Sequence, residues 1–264
     1  MNAASWFPRW LPSESVALFA VLVLLVIAVP AMGALVAARL RSVEDTPARK
    51  RARYARTMLV LWTMTGLAYY ALQLHGLSPA DIGARPPVNF IWYAVGPLIV
   101  AVLLSTSGAG RGDISDSYAR AIRPVIPNDA VDWCWFVGVA ATAAICEEFL
   151  YRGYALTQIA ALTHSVVAGV VLSSLAFGLG HAYQGRIGMV GTAITGLLYS
   201  MLYLASGSLV PCMLAHFMQD IFGAALLSRR LRLTASAVGP KGAPGEEGRA
   251  YQEISDNEPG RMRP

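Results

Sequence analysis

The sequence predicts an all-α fold, a polytopic transmembrane helical bundle of about seven spans. Hydrophobic residues make up 55% of the chain and charged residues only 14%, against roughly 25% charged in a typical soluble domain. The mean hydropathy is +0.49, and the apolar residues gather in long uninterrupted runs. A helix that crosses a hydrocarbon core about 30 Å thick needs about 20 apolar residues. The 264 residues therefore suit one helical membrane domain better than one or two soluble ones.

The first span is VALFAVLVLLVIAVPAMGALVAA, residues 16–38, which is uncharged and too long for the apolar core of a secretory signal peptide. It is expected to remain as a transmembrane helix kinked at Pro30, which membrane helices tolerate. Further spans are expected at about 58–75, 89–106, 133–160, 164–182, 187–205 and 208–227. Between the first two lies RLRSVEDTPARKRARYARTM, with seven Lys or Arg against two acids, which the positive-inside rule assigns to the cytoplasm. Alternation then puts 76–88, 161–163 and 205–208 outside, with Arg85 their one basic residue, while SRRLRL after the last span falls inside. The expected arrangement is a cell (inner) membrane protein with its N-terminus outside and its C-terminus cytoplasmic. The tail from about Thr234 has the Gly, Pro and charge content of a disordered segment.

This divides the chain into an N-terminal segment 1–15, N-terminal helices and loops 16–129, a core 130–227 and a cytoplasmic tail 228–264. The basic run reads as solvated charge that sets topology and touches anionic lipid rather than as a nucleic-acid site. The expected partners are the lipid bilayer and a membrane-anchored peptide or protein, with no nucleic acid. Cys134, Cys146 and Cys212 fall in or at the ends of spans without CxxC spacing. They read as small core residues.

Ionisable side chains inside spans are then the informative ones, since each costs at least about 2.5 kcal/mol at the bilayer centre. In the core they are Glu147, Glu148, Arg152, His181, His216 and Asp220; His75 and His164 fall at span ends and read as interfacial. Glu148 and Arg152 are four apart, one helical turn, and are expected to form an ion pair. Glu147 is rotated about 100° from Glu148 and meets Tyr151, not a base, at its own i+4. It is the carboxylate left free for general-base chemistry. HFMQD sets His216 and Asp220 on one helix face, where the acid can orient the imidazole or share a ligand with it, and FGLGH does the same for Phe177 and His181. Groups so costly singly are best tolerated if they converge on one polar cavity.

EEFLYR matches an EExxxR motif, FGLGH an FxxxH motif and HFMQD an HxxxN/D motif. In that order they resemble the CPBP family, the type II CAAX prenyl endopeptidases and bacteriocin-processing proteins, also called the Abi family. The likeness covers about residues 130–227, and LSPADIGAR, residues 77–85, is similar to the GLxxxDLG segment of many members. The resemblance implies an intramembrane glutamic-type endopeptidase. Glu147 would activate a water with help from His181, His216 and Asp220 would stabilise the oxyanion, and Glu148, Arg152 and Phe177 would support them. No cofactor is expected.

One residue departs from the prenyl-protein members, which carry Asn where this chain has Asp220. An ionised Asp cannot donate to an oxyanion, so Asp220 must be protonated, orient His216 or bind something. The Glu, His, His, Asp set could in principle hold a divalent metal, although no HExxH helix is present. Geometry adds a further expectation: Glu147 lies about 21 Å along its helix from residue 133 at ~1.5 Å per residue, whereas His181 ends its own. The two meet only if the fourth helix is long and starts beyond the bilayer, with a polar cavity toward the cytoplasmic half. Two lysines against nineteen arginines and abundant alanine suggest a high-GC bacterium, so the expected substrates are membrane-associated peptides or tails. A non-catalytic immunity or scaffold protein and a proton-coupled transporter are the alternatives. The transporter would call for paired interrupted helices, which the sequence does not show.

Overall fold

The computed structural model describes residues 15–40, 46–106 and 116–237, and every regular element among them is helical. Helix α1 runs through Val16–Val23, a π-helical turn Leu24–Ala28 and Val29–Leu40. The π-turn falls just before Pro30, whose missing N–H and ring disturb the ladder on that side. Helix α2 is Pro47–Gln73, capped by the Thr46 side chain, which accepts from Arg49 N. Most of the basic segment expected as a loop is therefore the opening of a helix, with Pro47 at the position where a missing N–H is harmless. A 3-10 turn Pro79–Ile82 precedes α3, Trp92–Thr106, and a short helix α4, Asp116–Ile122, which the sequence did not suggest. Helix α5 is continuous through Ala130–Glu147, a π-helical stretch Glu148–Ala155 and Leu156–Thr163. Then come α6, Val166–Gly180, a 3-10 turn Ala182–Gln184, α7, Gly185–Ser206, and α8, Val210–Ala237.

Seven of these helices stand where the seven spans were expected. Four segments are long and apolar enough to cross a membrane: Val16–Leu35, Ala130–Thr163, Ala182–Ser206 and Val210–Leu231. Trp92–Ser105 and Val166–Gly180 are apolar but shorter, and α2 carries the basic run in its first turns. The compact unit extends through Ser228. The last helix goes on to Ala237, so the segment from 228 begins as helix. Residues 1–14 and 238–264, and with them nearly all of the N-terminal segment and most of the proposed disordered tail, lie outside the described residues.

Large apolar side chains such as Phe19, Leu35, Trp62, Leu98, Leu175 and Met201 face outward, as expected of helices sheathed by lipid. Leu18, Leu72, Ile82, Leu156, Tyr199 and Tyr203 fill the interior. Cys146 and Cys212 are buried, but Cys134 is exposed and is not a core residue.

Two polar anchorages position α5 and its neighbours. At the start of α2, Lys50 is 1% exposed and donates to Ile126 O at 2.8 Å, and Tyr54 OH donates to Val125 O at 2.8 Å. Arg51 donates to Asp132 at 2.9 Å and to Asp129 at 2.9 Å. The basic run is thus not only solvated charge: Lys50 and Arg51 clamp the chain entering α5. Asp129 caps α5 by accepting from Asp132 N. That hydrogen bond, and Arg51 beside it, hold its carboxyl below the usual carboxylate range. At the other anchorage, segment 77–85 is docked rather than free. Tyr203 OH donates to Ile82 O at 2.8 Å and Leu209 N to Gly83 O at 2.7 Å, while Ser208 Oγ donates to Arg85 O.

Candidate active site

Helix α5 spans 34 residues, on the order of 50 Å at ~1.5 Å per residue, well beyond a hydrocarbon core about 30 Å thick. The expected length of this helix is thus present, and Glu147 stands level with the end of α6. Glu147 Oε2 lies 3.9 Å from His181 Nε2 and 3.8 Å from His216 Nε2. Asp220 Oδ2 lies 3.8 Å from the same His216 nitrogen. Three helices that are far apart in sequence thus aim two carboxylates and two imidazoles at one point.

Hydrogen bonds behind the rings fix which atoms face that point. His181 Nδ1 donates to Phe177 O at 2.8 Å; a carbonyl only accepts, so the ring proton sits there and Nε2 is turned to Glu147. His216 Nδ1 donates to Glu148 Oε1 at 2.8 Å, and Arg152 Nη1 donates to the same oxygen at 2.9 Å. The expected Glu148–Arg152 pair is present and buried, at 0% and 1% exposure. Its second function was not legible: Glu148, not Asp220, orients His216. Asp220 is beyond hydrogen-bond distance of the ring, which removes that one of its expected roles.

Phe177 packs the layer beneath. Its ring lies edge-on to Tyr151 at 5.1 Å, to His181 at 4.7 Å and to His216 at 6.0 Å. The Arg152 guanidinium stands 4.3 Å from its centroid, within cation–π range. Tyr199 completes the layer: it is 5.7 Å from the same guanidinium and 6.2 Å from the His216 ring. Its OH donates to Gln219 Oε1 at 2.6 Å, and Gln219 Nε2 donates to Thr195 Oγ1 at 3.4 Å. Sequence reasoning missed Tyr199. The signal was the spacing of Thr195, Tyr199, Tyr203 and Ser206, which share the buried face of α7.

Glu147 Oε2 is buried and makes no hydrogen bond. A buried carboxylate oxygen without a hydrogen bond is expensive, and this one is faced by two Nε2 atoms, with Asp220 3.8 Å from that of His216. The arrangement suits a small polar guest, held between an acceptor and two imidazoles and polarised by them. Among the described residues no group of three His, Cys, Asp or Glu is disposed to hold a metal ion. His75 Nε2 is engaged by Ser15 Oγ, and His164 ends α5 in a left-handed turn at φ 53°; neither joins the cluster. A surface pocket at the α5–α6 turn is lined by Ala160, Ala161, His164, Ser165 and Val166 and contains none of the site residues.

Comparison with known proteins adds one match. Residues 129–222 fit the family model described as type II CAAX prenyl endopeptidase Rce1-like. The match takes in all three motifs and leaves α1, α2, α3 and α4 outside it. No curated protein and no solved structure matches the chain.

Proposed function

We propose that this protein is an intramembrane endopeptidase, a reading supported by the match of residues 129–222 to the type II CAAX prenyl endopeptidase Rce1-like family model. It hydrolyses membrane-associated peptides or protein tails by glutamate-activated attack of water. The supporting observation is Glu147 Oε2, buried without a hydrogen bond and faced by His181 Nε2 at 3.9 Å and His216 Nε2 at 3.8 Å.

In this reading Glu147 takes a proton from a water that His181 Nε2 helps to hold, and the hydroxide oxygen adds to the peptide carbonyl carbon. The carbonyl electrons move onto oxygen, giving a tetrahedral oxyanion. His216 and Asp220 flank that oxygen. His216 Nδ1 is committed to Glu148, so the ring donates to the oxyanion only from Nε2 and only when both nitrogens carry hydrogen. Asp220, 3.8 Å from Nε2, serves as the counter-charge of that imidazolium rather than as a donor. Collapse of the intermediate breaks the C–N bond as Glu147 returns its proton to the leaving nitrogen, yielding one new carboxylate and one new amine. Glu148, Arg152 and Phe177 hold the imidazoles in place and touch no substrate.

We place the chain across the inner membrane of a bacterium in seven spans, N-terminus outside and C-terminus cytoplasmic, on the strength of the basic run and of α5, α7 and α8. Comparing the membrane peptidome of a strain lacking the protein with strains carrying the wild type or Glu147→Ala tests the activity. Peptides that the wild type alone removes support it. If wild type and Glu147→Ala restore the same peptides, the chain is a non-catalytic member of its family.

A further inference from the structure

We propose that Gly33 is a positioning residue for the candidate site: where α1 crosses the end of α6, its backbone bears on Gly180 and so keeps His181 in register with Glu147. This rests on the reading of His181 as part of that site, and it extends the site to a helix outside residues 129–222.

A Cβ on Gly33 would stand 2.5 Å from Gly180 O, 3.1 Å from its carbonyl carbon and 3.4 Å from its Cα. All three are backbone atoms. No rotamer change relieves such a contact, so the two helices would have to part by roughly 0.9 Å to restore the 3.4 Å of an ordinary contact. Gly180 is the last residue of α6, and His181 is its cap, with its N–H on Gly178 O. Movement at Gly180 is therefore movement of the His181 backbone.

Helix α1 is not free to yield instead. Tyr154 OH, on α5, donates to Leu18 O at 2.8 Å, and Leu18, Leu22 and Leu25 lie in the core. The second half of α1 also packs on the turn Ala182–Gln184 that follows His181. The displacement accordingly falls on the α6 end, where a 3.9 Å approach between His181 and Glu147 has little tolerance.

The crossing is asymmetric, and this separates it from general small-residue packing between membrane helices. A Cβ on Gly180 would meet only side-chain atoms, Tyr151 OH and Val29 Cγ1, both at 3.6 Å. The methyl group should thus be tolerated at the residue adjoining His181 and harmful at the residue far from it in sequence.

Full-length protein in lipid nanodiscs, labelled with ¹⁵N-histidine, gives a direct readout, because the chain has four histidines. The His181 ring signal is assigned by its loss in His181→Gln. Gly33→Ala should shift or broaden that signal, leave the His164 signal in place and lower peptide processing on the order of 10²-fold, as misplacement by about 1 Å can. Gly180→Ala, and Gly66→Ala, whose added Cβ meets nothing within 4 Å, should leave both readouts at the wild-type value. An unmoved His181 signal in Gly33→Ala overturns the proposal. So does a Gly180→Ala variant that perturbs His181, an outcome that can be read even if Gly33→Ala does not fold. The ring signal needs no proteolysis, so a His181 displaced in Gly33→Ala while the wild type itself cleaves nothing would refute the peptidase reading and leave the positioning intact.

Discussion

His216 is bound to Glu148 across two helices: its Nδ1 lies 2.8 Å from Glu148 Oε1, the oxygen that also accepts Arg152 Nη1 at 2.9 Å. One buried carboxylate thus carries a guanidinium from its own helix and an imidazole from α8. Glu147, one residue earlier, makes no hydrogen bond through Oε2 and faces His181 Nε2 at 3.9 Å and His216 Nε2 at 3.8 Å.

Removing either member of the buried pair should therefore be severe. Glu148→Gln leaves Arg152 without a counter-charge in the interior, and Arg152→Met leaves the buried Glu148 with the His216 imidazole alone. Each should lower stability by about 3–5 kcal/mol, read as thermal unfolding in detergent micelles. The double variant Glu148→Gln/Arg152→Met should lose less than the sum of the two, because no uncompensated charge remains. Processing should still fail in the double variant, since His216 has lost its orienting carboxylate.

What was legible in the sequence and what was not follows from what spacing can report. Spacing along one helix finds contacts within that helix, and the Glu148–Arg152 pair and the Phe177–His181 and His216–Asp220 faces were readable for that reason. It cannot report which helices touch, so the Glu148–His216 bond was invisible, and spacing could mark Tyr199 as part of a buried face of α7 but not as a neighbour of His216. The π-helical stretch beginning at Glu148 was hidden because nothing in EFLYRGYA breaks a helical pattern. The basic run shows the limit most clearly: its charge suits a cytoplasmic loop, yet Thr46 and Pro47 start a helix there, and Lys50 finds Ile126 O only because the fold brings residue 126 to it.

The docked segment 77–85 gives a graded test of tertiary anchoring. Tyr203→Phe removes the donor to Ile82 O and should cost about 1–3 kcal/mol, the price of an unsatisfied buried carbonyl. Gly83→Ala should be worse. Its Cβ would stand 2.6 Å from Tyr203 Cε2, and φ there is +87°, a region that L side chains enter at a penalty. Melting temperatures of the two variants, measured side by side, should fall in that order.

Asp129 offers a pH-dependent test. Its carboxyl is held low by the Asp132 N–H and by Arg51, so its contribution is fully present above the unfolded-state pKa and is lost as pH falls through the lowered folded value. Asp129→Asn keeps a capping oxygen but loses the charge facing Arg51. At neutral pH the wild type should melt above Asp129→Asn. The gap should close as the pH is taken down through the range in which Asp129 protonates. A gap that widens on acidification would contradict the assignment.

Asp220 is the residue on which this site departs from the prenyl-protein pattern, and its surroundings predict how it responds to change. It is the most exposed of the four, with 32% of its side chain accessible against 14% for Glu147 and 9% for His216. It stands 3.8 Å from His216 Nε2, too far to orient the ring and near enough to stabilise positive charge on it. Asp220→Asn gives up that charge but gains an N–H2 that can itself donate to an oxyanion. Asp220→Leu gives up both. If the oxyanion is met by His216 with Asp220 behind it, Asp220→Asn should retain substantial processing, and Asp220→Leu, which leaves the His216 imidazolium without its counter-charge and so costs the site that donor, should lose it by about 10²–10³-fold. Both should fold, since the carboxylate makes no hydrogen bond that holds two helices together. Equal activity in the Leu variant and the wild type would remove Asp220 from the reaction and leave His216, fixed by Glu148, as the only group to meet the developing charge.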